Sequence, residues 1–253
     1  MQTTTDTLRL LEQLASNAWP AHTTEKLGDW TMRYTFGYTK RANSVHAVGS
    51  LPFDLNWLQK VENFYESRNT ASCFHISQLS PAQLDETLGS KGYKKSDECF
   101  TMMAACEDTL QNVKLDIQYD ADYLREATPA WIDEFLTLED FSKDRFDAYT
   151  HIFSSIHASK TFLRLSSNKE TVGLGSVVVE QGYGCISNII VHAKHRRKGI
   201  AKELVSALVQ CAQRQEADYV YLQVVKENKP AVDLYEKLGF KAVSSHHYRI
   251  LKK

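Results

Sequence analysis

The stretch Ser187-Asn-Ile-Ile-Val-His-Ala-Lys-His-Arg-Arg-Lys-Gly-Ile-Ala201 decides the fold of the C-terminal half of the chain. Its β-branched run at residues 189–191 predicts a strand, and a basic loop follows that strand. After the loop, apolar residues recur at Leu204, Leu208 and Ala212, which is the spacing of an amphipathic helix. The stretch therefore predicts a strand, a basic loop and a helix in succession.

The loop has the composition of a site for a phosphorylated ligand. Free backbone N–H groups and the positive end of a helix dipole would lie beside Lys194, Arg196, Arg197 and Lys198. Gly199 would let the backbone approach an anion without a side chain in the way. Taken alone, a basic loop before a helix is more often a solvated, charged cap, so both interpretations stay open at this point.

A second informative segment is Asn228-Lys-Pro-Ala-Val-Asp-Leu-Tyr-Glu-Lys-Leu-Gly-Phe240. Pro230 suits a first helical turn, and Gly239 suits the C-terminal cap of a helix. The apolar positions expected to share one face are Ala231, Leu234 and Leu238. An ordinary amphipathic helix explains these positions, but it has no need for Asn228 or Tyr235.

In order and spacing, the two segments resemble the GNAT (GCN5-related N-acetyltransferase) superfamily. Arg196-x-x-Gly199-x-Ala201 is similar to the pyrophosphate-binding pattern of that superfamily, and the second segment is similar to its Asn-x-x-Ala-x-x-Leu-Tyr-x-x-x-Gly-Phe pattern. The resemblance covers residues 161–253. It implies an α/β (α+β) fold in which a mixed, mostly antiparallel central sheet is flanked by helices.

The resemblance implies direct transfer of an acetyl group from acetyl-CoA to a primary amine within a ternary complex. The acceptor would be a small-molecule amine or an amine of a peptide or protein. Tyr235 would be the general acid, because a phenol with an ordinary pKa of about 10 is protonated at neutral pH. Glu180 is the first candidate for the general base, followed by Glu139, Asp140 and His192. The alternative function is a non-catalytic acyl-CoA-binding sensor or scaffold.

The residues expected to contact the cofactor belong to the strand end, the basic loop and the second segment. They are Ile189, Ile190, Val191, Arg196, Arg197, Lys198, Gly199, Ile200, Ala201, Asn228, Ala231 and Tyr235. As the resemblance implies, backbone groups around Ile190 and Val191 would pair with the pantetheine arm, and an N–H there would be the oxyanion donor.

The chain also aligns with itself at an offset of 147 residues. That offset places Gly92-Tyr93 on Gly239-Phe240, and residues 57–68 on the predicted helix at 204–215. We interpret the match as a tandem pair of GNAT-like domains, with coincidental alternation of helices and strands as the alternative. In the first copy residues 49–54 replace the basic loop without any cation, so this copy should hold pyrophosphate poorly.

The repeat sets the predicted domain limits. Residues 1–106 would form a degenerate GNAT-like N-terminal domain, residues 107–116 a polar linker, and residues 117–253 the catalytic domain that binds acetyl-CoA. The sequence leaves monomer and homodimer equally open.

Composition and charge narrow the class of function. The 253 residues carry a formal net charge of -1, so no overall field favours nucleic acid or an anionic membrane, and we expect neither as a partner. The five cysteines form no CxxC pair and no His/Cys cluster at zinc spacing, so we expect no disulfide framework and no metal site. The absence of a disulfide framework indicates a reducing environment, and with no long apolar run the chain is expected to be cytoplasmic.

Overall fold

The computed structural model describes residues 4–111 and 118–251, and their contacts divide the chain into two compact units. The first unit takes the described residues up to Phe100, Val225–Glu227 and those from Val243 onward. The second unit takes the described residues from Thr101 to Val224 and Asn228–Ala242. The limits of both units are therefore set by contacts in space and interleave along the chain.

The first unit contains three helices and a sheet. The helices are α1 (Thr5–Asn17), α2 (Trp57–Glu66) and α3 (Leu84–Ser90), and the strands are β1 (Thr23–Leu27), β2 (Trp30–Tyr34), β3 (Val45–His46), β4 (Cys73–Ser77) and the first part of β5 (Lys94–Ala105). The last strand of the chain, β11 (Lys241–Ile250), pairs with β4 in antiparallel register, with His246 opposite Ser77 and Ile250 opposite Cys73. The order β1-β2-β3-β4-β11 therefore includes the C-terminal end of the chain.

The core of the first unit explains why β4 lies inside its sheet. Four consecutive β4 residues, 73–76, are buried, which is the pattern of a strand covered on both faces. Phe74 packs edge to face against Trp30 and Tyr93, with ring centroids 6.2 and 5.5 Å apart. α2 contributes Val61 and Tyr65, both fully buried, so the apolar face of that helix closes this core.

The second unit contains a mostly antiparallel sheet with helices around it. Its helices are α4 (Cys106–Gln111), α5 (Pro129–Leu138), α6 (Phe146–Ser154), α7 (Ile200–Arg214) and α8 (Lys229–Lys237), and its strands are β6 (Asp120–Leu124), β7 (Ser159–Ser167), β8 (Glu170–Glu180), β9 (Tyr183–Val191) and β10 (Tyr219–Val225). The strands run in the order β10-β9-β8-β7-β6, and only the β9 and β10 pair is parallel. Under α5 and α6, Trp131, Phe135 and Phe153 are buried with Phe162 in an aromatic core.

The predicted strand, loop and helix are confirmed, since β9 ends at Val191 and α7 begins at Ile200. The helix predicted in the second segment is also present as α8, but its buried face is different. Val232, Tyr235 and Leu238 are buried, whereas Ala231 and Leu234 are only half-buried. Leu238 is buried as expected, but Val232 and Tyr235 take the places expected for Ala231 and Leu234, because the apolar pattern alone did not show that Tyr235 points inward.

The order of elements repeats along the chain. The series α2, β4, α3, β5 recurs as α7, β10, α8, β11, and the starts of the later elements lie close to the positions that the offset of 147 residues predicts. The predicted limits 1–106 and 117–253 differ from the contact-based units, because residues from Val243 onward group with the first unit. The predicted linker begins inside α4, and residues 112–117 lie outside the described residues.

Two further features of the chain concern thiols and membranes. The five cysteines are free thiols, and Cys211 is the only one of them that is not fully buried. Across residues 4–111 and 118–251, no helix combines the length and apolarity that a bilayer crossing requires.

A row of uncharged histidines crosses the sheet of the first unit. His46, His75 and His246 lie on β3, β4 and β11, respectively. The ring centroid of His75 lies 4.9 Å from that of His46 and 4.5 Å from that of His246. His46 Nε2 lies 2.9 Å from the guanidinium of Arg33, which also donates to backbone carbonyls, including that of Trp19 at 2.6 Å. Burial, together with the cationic neighbours, holds the pKa of His46 and His75 well below the usual range and lowers that of His246 to about 4.

We expect this row of histidines to make the first unit acid-sensitive. Because the pKa values of these histidines are depressed in the folded state, the unfolded chain binds more protons in acid than the folded chain does. The free energy of unfolding therefore keeps its full value above about pH 6.5 and falls as the pH decreases toward 4. The loss should be on the order of 1 kcal/mol per pH unit for each histidine. Urea unfolding at a series of pH values measures it. His75→Phe should flatten the profile, whereas the exposed control His157→Phe should not, and equal slopes in all three proteins would contradict this explanation.

Candidate functional site

The site in the second unit depends first on how closely α7 lies against β8 and β9. A Cβ atom built on Gly173 would stand 2.9 Å from Leu204 Cδ1, and one on Gly175 would stand 2.8 Å from Leu208 Cδ1. A Cβ atom on Gly184 would stand 2.9 Å from Ala212 Cβ. Such distances are closer than side-chain carbons tolerate, so the absence of side chains at these glycines lets the helix pack directly on the two strands.

A one-residue β-bulge interrupts the pairing of β8 with β9. Ser176 lies opposite Ser187, but Leu174 lies opposite Ile190, so three steps along β9 match two steps along β8. The extra residue falls at Asn188, whose φ of 57° lies in the left-handed region that asparagine tolerates better than most residues. The bulge rotates the backbone of the following residues relative to the regular ladder.

Side chains inside the sheet hold this bulge in place. The Ser176 hydroxyl is buried, lies 3.0 Å from the Ser187 hydroxyl and accepts a hydrogen bond of 2.8 Å from Asn188 Nδ2. The three side chains therefore satisfy one another where the ladder is broken. These hydrogen bonds favour the bulged conformation, because the buried Ser176 hydroxyl finds its partners there.

The chain then forms an open turn of backbone amides before α7. Arg197 and Gly199 both have left-handed φ values, 66° and 85°. The first α7 amide that reaches a carbonyl of the turn is that of Glu203, which donates to Gly199 O at 3.1 Å, and no side chain caps the helix. The amides of residues 200–202 therefore point out of the helix start without an acceptor among the described residues. A Cβ on Gly199 would meet nothing within 4 Å, so space beside this turn is open.

Cationic side chains surround the same turn. Arg196, Arg197 and Lys198 are all exposed, and Lys194 is exposed one turn earlier. The partial positive charge at the start of the 15-residue helix α7 adds to these charges. Ile200 is buried and Ala201 half-buried, so they anchor the helix while their amides face outward. Chemically, this arrangement can bind an anion with several oxygens, such as a diphosphate.

Next to the bulge, β9 and β10 separate. They pair in parallel only from Tyr219 opposite Tyr183 to Tyr221 opposite Cys185. Both strands are described in full, and beyond these pairs neither continues in register with the other. The second half of β9, which includes Ile189, Ile190 and Val191, therefore has a backbone edge that no pairing with β10 occupies, and an extended ligand with amide groups could pair with it.

The residues of the second segment lie at the start and in the middle of α8. Asn228 is exposed, and its Oδ1 accepts the Ala231 amide at 3.3 Å, so it caps the helix. An ordinary helix therefore does have a use for Asn228, contrary to the expectation from the sequence. Tyr235 is 8% exposed, and burial raises its pKa to about 12, above the ordinary value assumed from the sequence.

The topology decides which predicted residues come together. Because β9 and β10 are parallel, the turn after β9 and the helix after β10 both follow the carboxyl ends of adjacent strands at one edge of the sheet. Glu180 lies opposite Tyr183 at the other end of β9, eight residues from Val191, or roughly 27 Å at the rise of a strand. The structure thus groups the loop with the start of α8 and does not bring Glu180 to them.

Glu139 is better placed than Glu180 with respect to the loop. It follows the last residue of α5, and Arg196 is near enough to act on its carboxyl electrostatically. The residue as a whole is exposed, but its carboxyl has lost enough solvation that its pKa is raised, with Arg196 acting in the opposite direction. Asp140, with a φ of 56°, is the exposed turn residue beside it.

Comparisons with known proteins identify the family of the chain. A family model described as "Probable histone acetyltransferase Rv0428c C-terminal" matches residues 5–251. The chain is 40% identical over 245 residues to a Bacillus subtilis protein named "Uncharacterized N-acetyltransferase YobR", covering 97% of this chain and 99% of that one.

Solved structures share the fold at low identity. A GCN5-related N-acetyltransferase from Kribbella flavida has a TM-score of 0.70 at 13% identity, covering 96% of this chain and 95% of that one. A tandem GNAT protein from the clavulanic acid biosynthesis pathway has a TM-score of 0.62 at 11% identity, covering 95% and 87%. These likenesses confirm the predicted mixed, mostly antiparallel fold of the tandem GNAT type. Together with the match over almost its whole length, they show that this chain belongs to the Rv0428c-type acetyltransferase family of the GNAT superfamily.

Proposed function

We propose that the protein transfers an acetyl group from acetyl-CoA to a primary amine, by direct attack within a ternary complex. The observation that supports this most is the turn at residues 196–202, where uncapped amides, a left-handed Gly199 and exposed cations converge beside open space. Diphosphate is the group of coenzyme A that such a turn would hold. Arg196, Arg197 and Lys198 would attract the diphosphate by their charge. The amides of Ile200 and Ala201 would orient it by hydrogen bonds.

The gap between β9 and β10 would take the rest of the cofactor. The pantetheine arm carries amide groups, and the unpaired edge of β9 at residues 189–191 offers backbone partners for them. The thioester would then lie near the bulge at Asn188, where the backbone turns out of the ladder. An N–H of Ile190 or Val191 would donate to the oxyanion that forms when the amine attacks the thioester carbon.

Tyr235 would assist the departing thiolate. When the C–S bond breaks, the electron pair stays on sulfur, and a donor nearby stabilises the developing charge. With a pKa of about 12, the phenol is fully protonated at neutral pH, so it is always able to donate. Full proton transfer to a thiolate whose conjugate acid has a pKa of about 8.5 would be uphill, so we infer a hydrogen bond that strengthens in the transition state.

The amine must lose a proton, and we propose Glu139 as the acceptor in preference to Glu180. Glu180 lies at the opposite edge of the sheet from the loop, whereas Glu139 follows α5, and α5 contacts β9, the strand that carries the bulge. The raised pKa of Glu139 makes its carboxylate a stronger base at neutral pH. It would act through intervening water. The acceptor itself, a small molecule or a peptide or protein amine, would enter from solvent.

The first experiment tests cofactor binding by calorimetry with acetyl-CoA. The wild-type protein should bind, and Arg196→Ala should weaken the affinity at least about tenfold, since a charge-assisted contact to phosphate is lost. Lys241→Ala removes an exposed cation elsewhere in the second unit and should bind like the wild type.

Release of the CoA thiol from acetyl-CoA in the presence of a panel of primary amines then separates an enzyme from a protein that only binds the cofactor. If the protein binds acetyl-CoA but releases no CoA with any amine of the panel, the sensor or scaffold function is favoured. If the protein does not bind acetyl-CoA, the proposal is overturned.

The second experiment concerns Tyr235→Phe. We expect turnover to fall by about 10- to 100-fold with acetyl-CoA affinity unchanged, because only the hydroxyl is lost from a buried ring. Because the tyrosine must be protonated and its pKa is about 12, it should cause no loss of activity on the alkaline side below about pH 10. Wild-type turnover in this variant would remove Tyr235 from the mechanism.

A matched pair of variants addresses the base. Glu139→Gln should lower kcat and abolish the acidic limb of the pH profile that the carboxylate causes, while Glu180→Gln should leave both near the wild-type values. The measurement is the pH dependence of kcat in each protein. The opposite pattern, with only Glu180→Gln impaired, would return the role to the residue first expected from the sequence.

A further inference from the structure

Glu170, His192 and His195 form a compact cluster in the second unit that the proposed reaction does not use. His195 Nε2 lies 3.4 Å from Glu170 Oε2, and His192 Nε2 lies 3.8 Å from Glu170 Oε1. One nitrogen from each ring and a carboxylate oxygen all lie within 4.8 Å of one another. The imidazoles are half-buried and Glu170 is exposed, so the cluster is accessible from solvent.

The fold builds this cluster from two strands and one turn. His192 directly follows β9 and His195 ends a 3-10 turn, Ala193–His195, so the two rings stand three residues apart on a turn with about three residues per turn. Antiparallel pairing places Gly173 opposite Val191, and His192 N donates to Val172 O at 3.0 Å. The beginning of β8 is thereby held beside the turn, and Glu170 meets both rings.

We propose that Glu170, His192 and His195 bind a divalent transition-metal ion such as Zn²⁺. Two imidazoles and a carboxylate are donors that such ions accept, at about 2.0 to 2.2 Å from nitrogen or oxygen. An ion at that distance from each donor would separate neighbouring donors by about 3.0 to 3.6 Å. The separations of 3.4 and 3.8 Å, which run to different oxygens of Glu170, need only a small closure. One donor atom from each of the three residues lies within 4.8 Å of the others, so the donors furthest apart must approach by about 1 Å. Water would complete the coordination on the exposed side.

Binding has one local cost, at His192. Its Nδ1 accepts the Lys194 amide at 3.2 Å, which places the ring proton on Nε2, the atom that faces Glu170. The ion requires the Nε2 lone pair, so the proton must move to Nδ1 and the Lys194 bond is lost. That bond is exposed and worth about 1 kcal/mol, much less than a metal–imidazole bond contributes.

The ion would join the start of β8 to the 3-10 turn that precedes the turn at residues 196–202. Residues 192–195 lead directly into Arg196, so fixing them would restrain the loop at its base. The ion would therefore stabilise the second unit, whether or not the protein transfers acetyl groups. Nearby cations such as Lys194 oppose a second positive charge, which argues for moderate affinity.

The test uses untagged full-length protein without coenzyme A. Titration with ZnCl₂ by calorimetry should show one site, and Zn²⁺ at 100 times its Kd should raise the Tm by about 5 to 10 °C. Substituting Co²⁺ should give visible d–d absorption bands that report nitrogen and oxygen ligands. His195→Ala and Glu170→Gln should each weaken Zn²⁺ binding at least about tenfold and remove the cobalt bands.

The control is His157→Ala, which removes an exposed histidine outside the cluster and should bind like the wild type. No saturable binding by the wild-type protein would overturn the proposal. So would binding that survives in both cluster variants, because the metal would then be held by unrelated surface groups. Neither outcome depends on acetyl-CoA, so the inference and the proposed function fail separately.

Discussion

The close packing of α7 on β8 and β9 is the constraint on which the candidate site depends. At Gly173 and Gly175, side chains of α7 occupy the space that a Cβ atom would need. The helix axis is therefore held at a distance that larger residues would not allow, and its first turn emerges beside the end of β9. Amides at a helix start bind an anion only when their N–H groups point toward it, so the packing of α7 on the sheet positions the turn at residues 196–202.

The same strand pair connects the remaining features. The register of β8 with β9 determines where the bulge at Asn188 falls, where the loop leaves the sheet and why Glu170 meets the turn at residues 192–195. The polar contacts of Ser176 lock that register from inside the sheet. A shift of one residue would move every side chain of β9 to the opposite face. The ligand-binding geometry is thus a property of the sheet as much as of the loop.

Elements whose residues lie close together in the sequence could be predicted from the sequence alone. The strand, the basic loop and α7 could be placed because β-branched residues, cations and helical spacing follow one another within residues 187–215. The inward orientation of Tyr235 could not be seen in this way, because which face of α8 is buried depends on the sheet beneath it. The bulge network was also missed, since serines and an asparagine in a strand carry no signal until their partner strand is known.

Features that combine residues from distant segments could not be predicted either, because the local sequence does not show which strands pair. His192-x-x-His195 contains two metal-ligand residues, but Glu170 comes from another strand, and only antiparallel pairing brings it near. Likewise, the placement of β11 beside β4 depends on pairing between residues more than 160 positions apart. Glu180 appeared suitable because it ends a strand, yet the direction of β8 carries it away from the loop.

The two copies of the repeated α/β series differ physically at the start of their first helix. Before α2, Asp54 accepts the Asn56 amide at 2.8 Å and pairs with Lys60, so a carboxylate of the chain itself already lies at this helix start. A phosphate approaching there would meet a like charge. Before α7, the corresponding turn has no carboxylate cap, and Gly199 faces open space among exposed cations. An anionic ligand is therefore favoured in the second copy, because there no carboxylate among the described residues accepts an amide of the turn, and Glu203 in the first turn of α7 accepts the Gln118 amide instead.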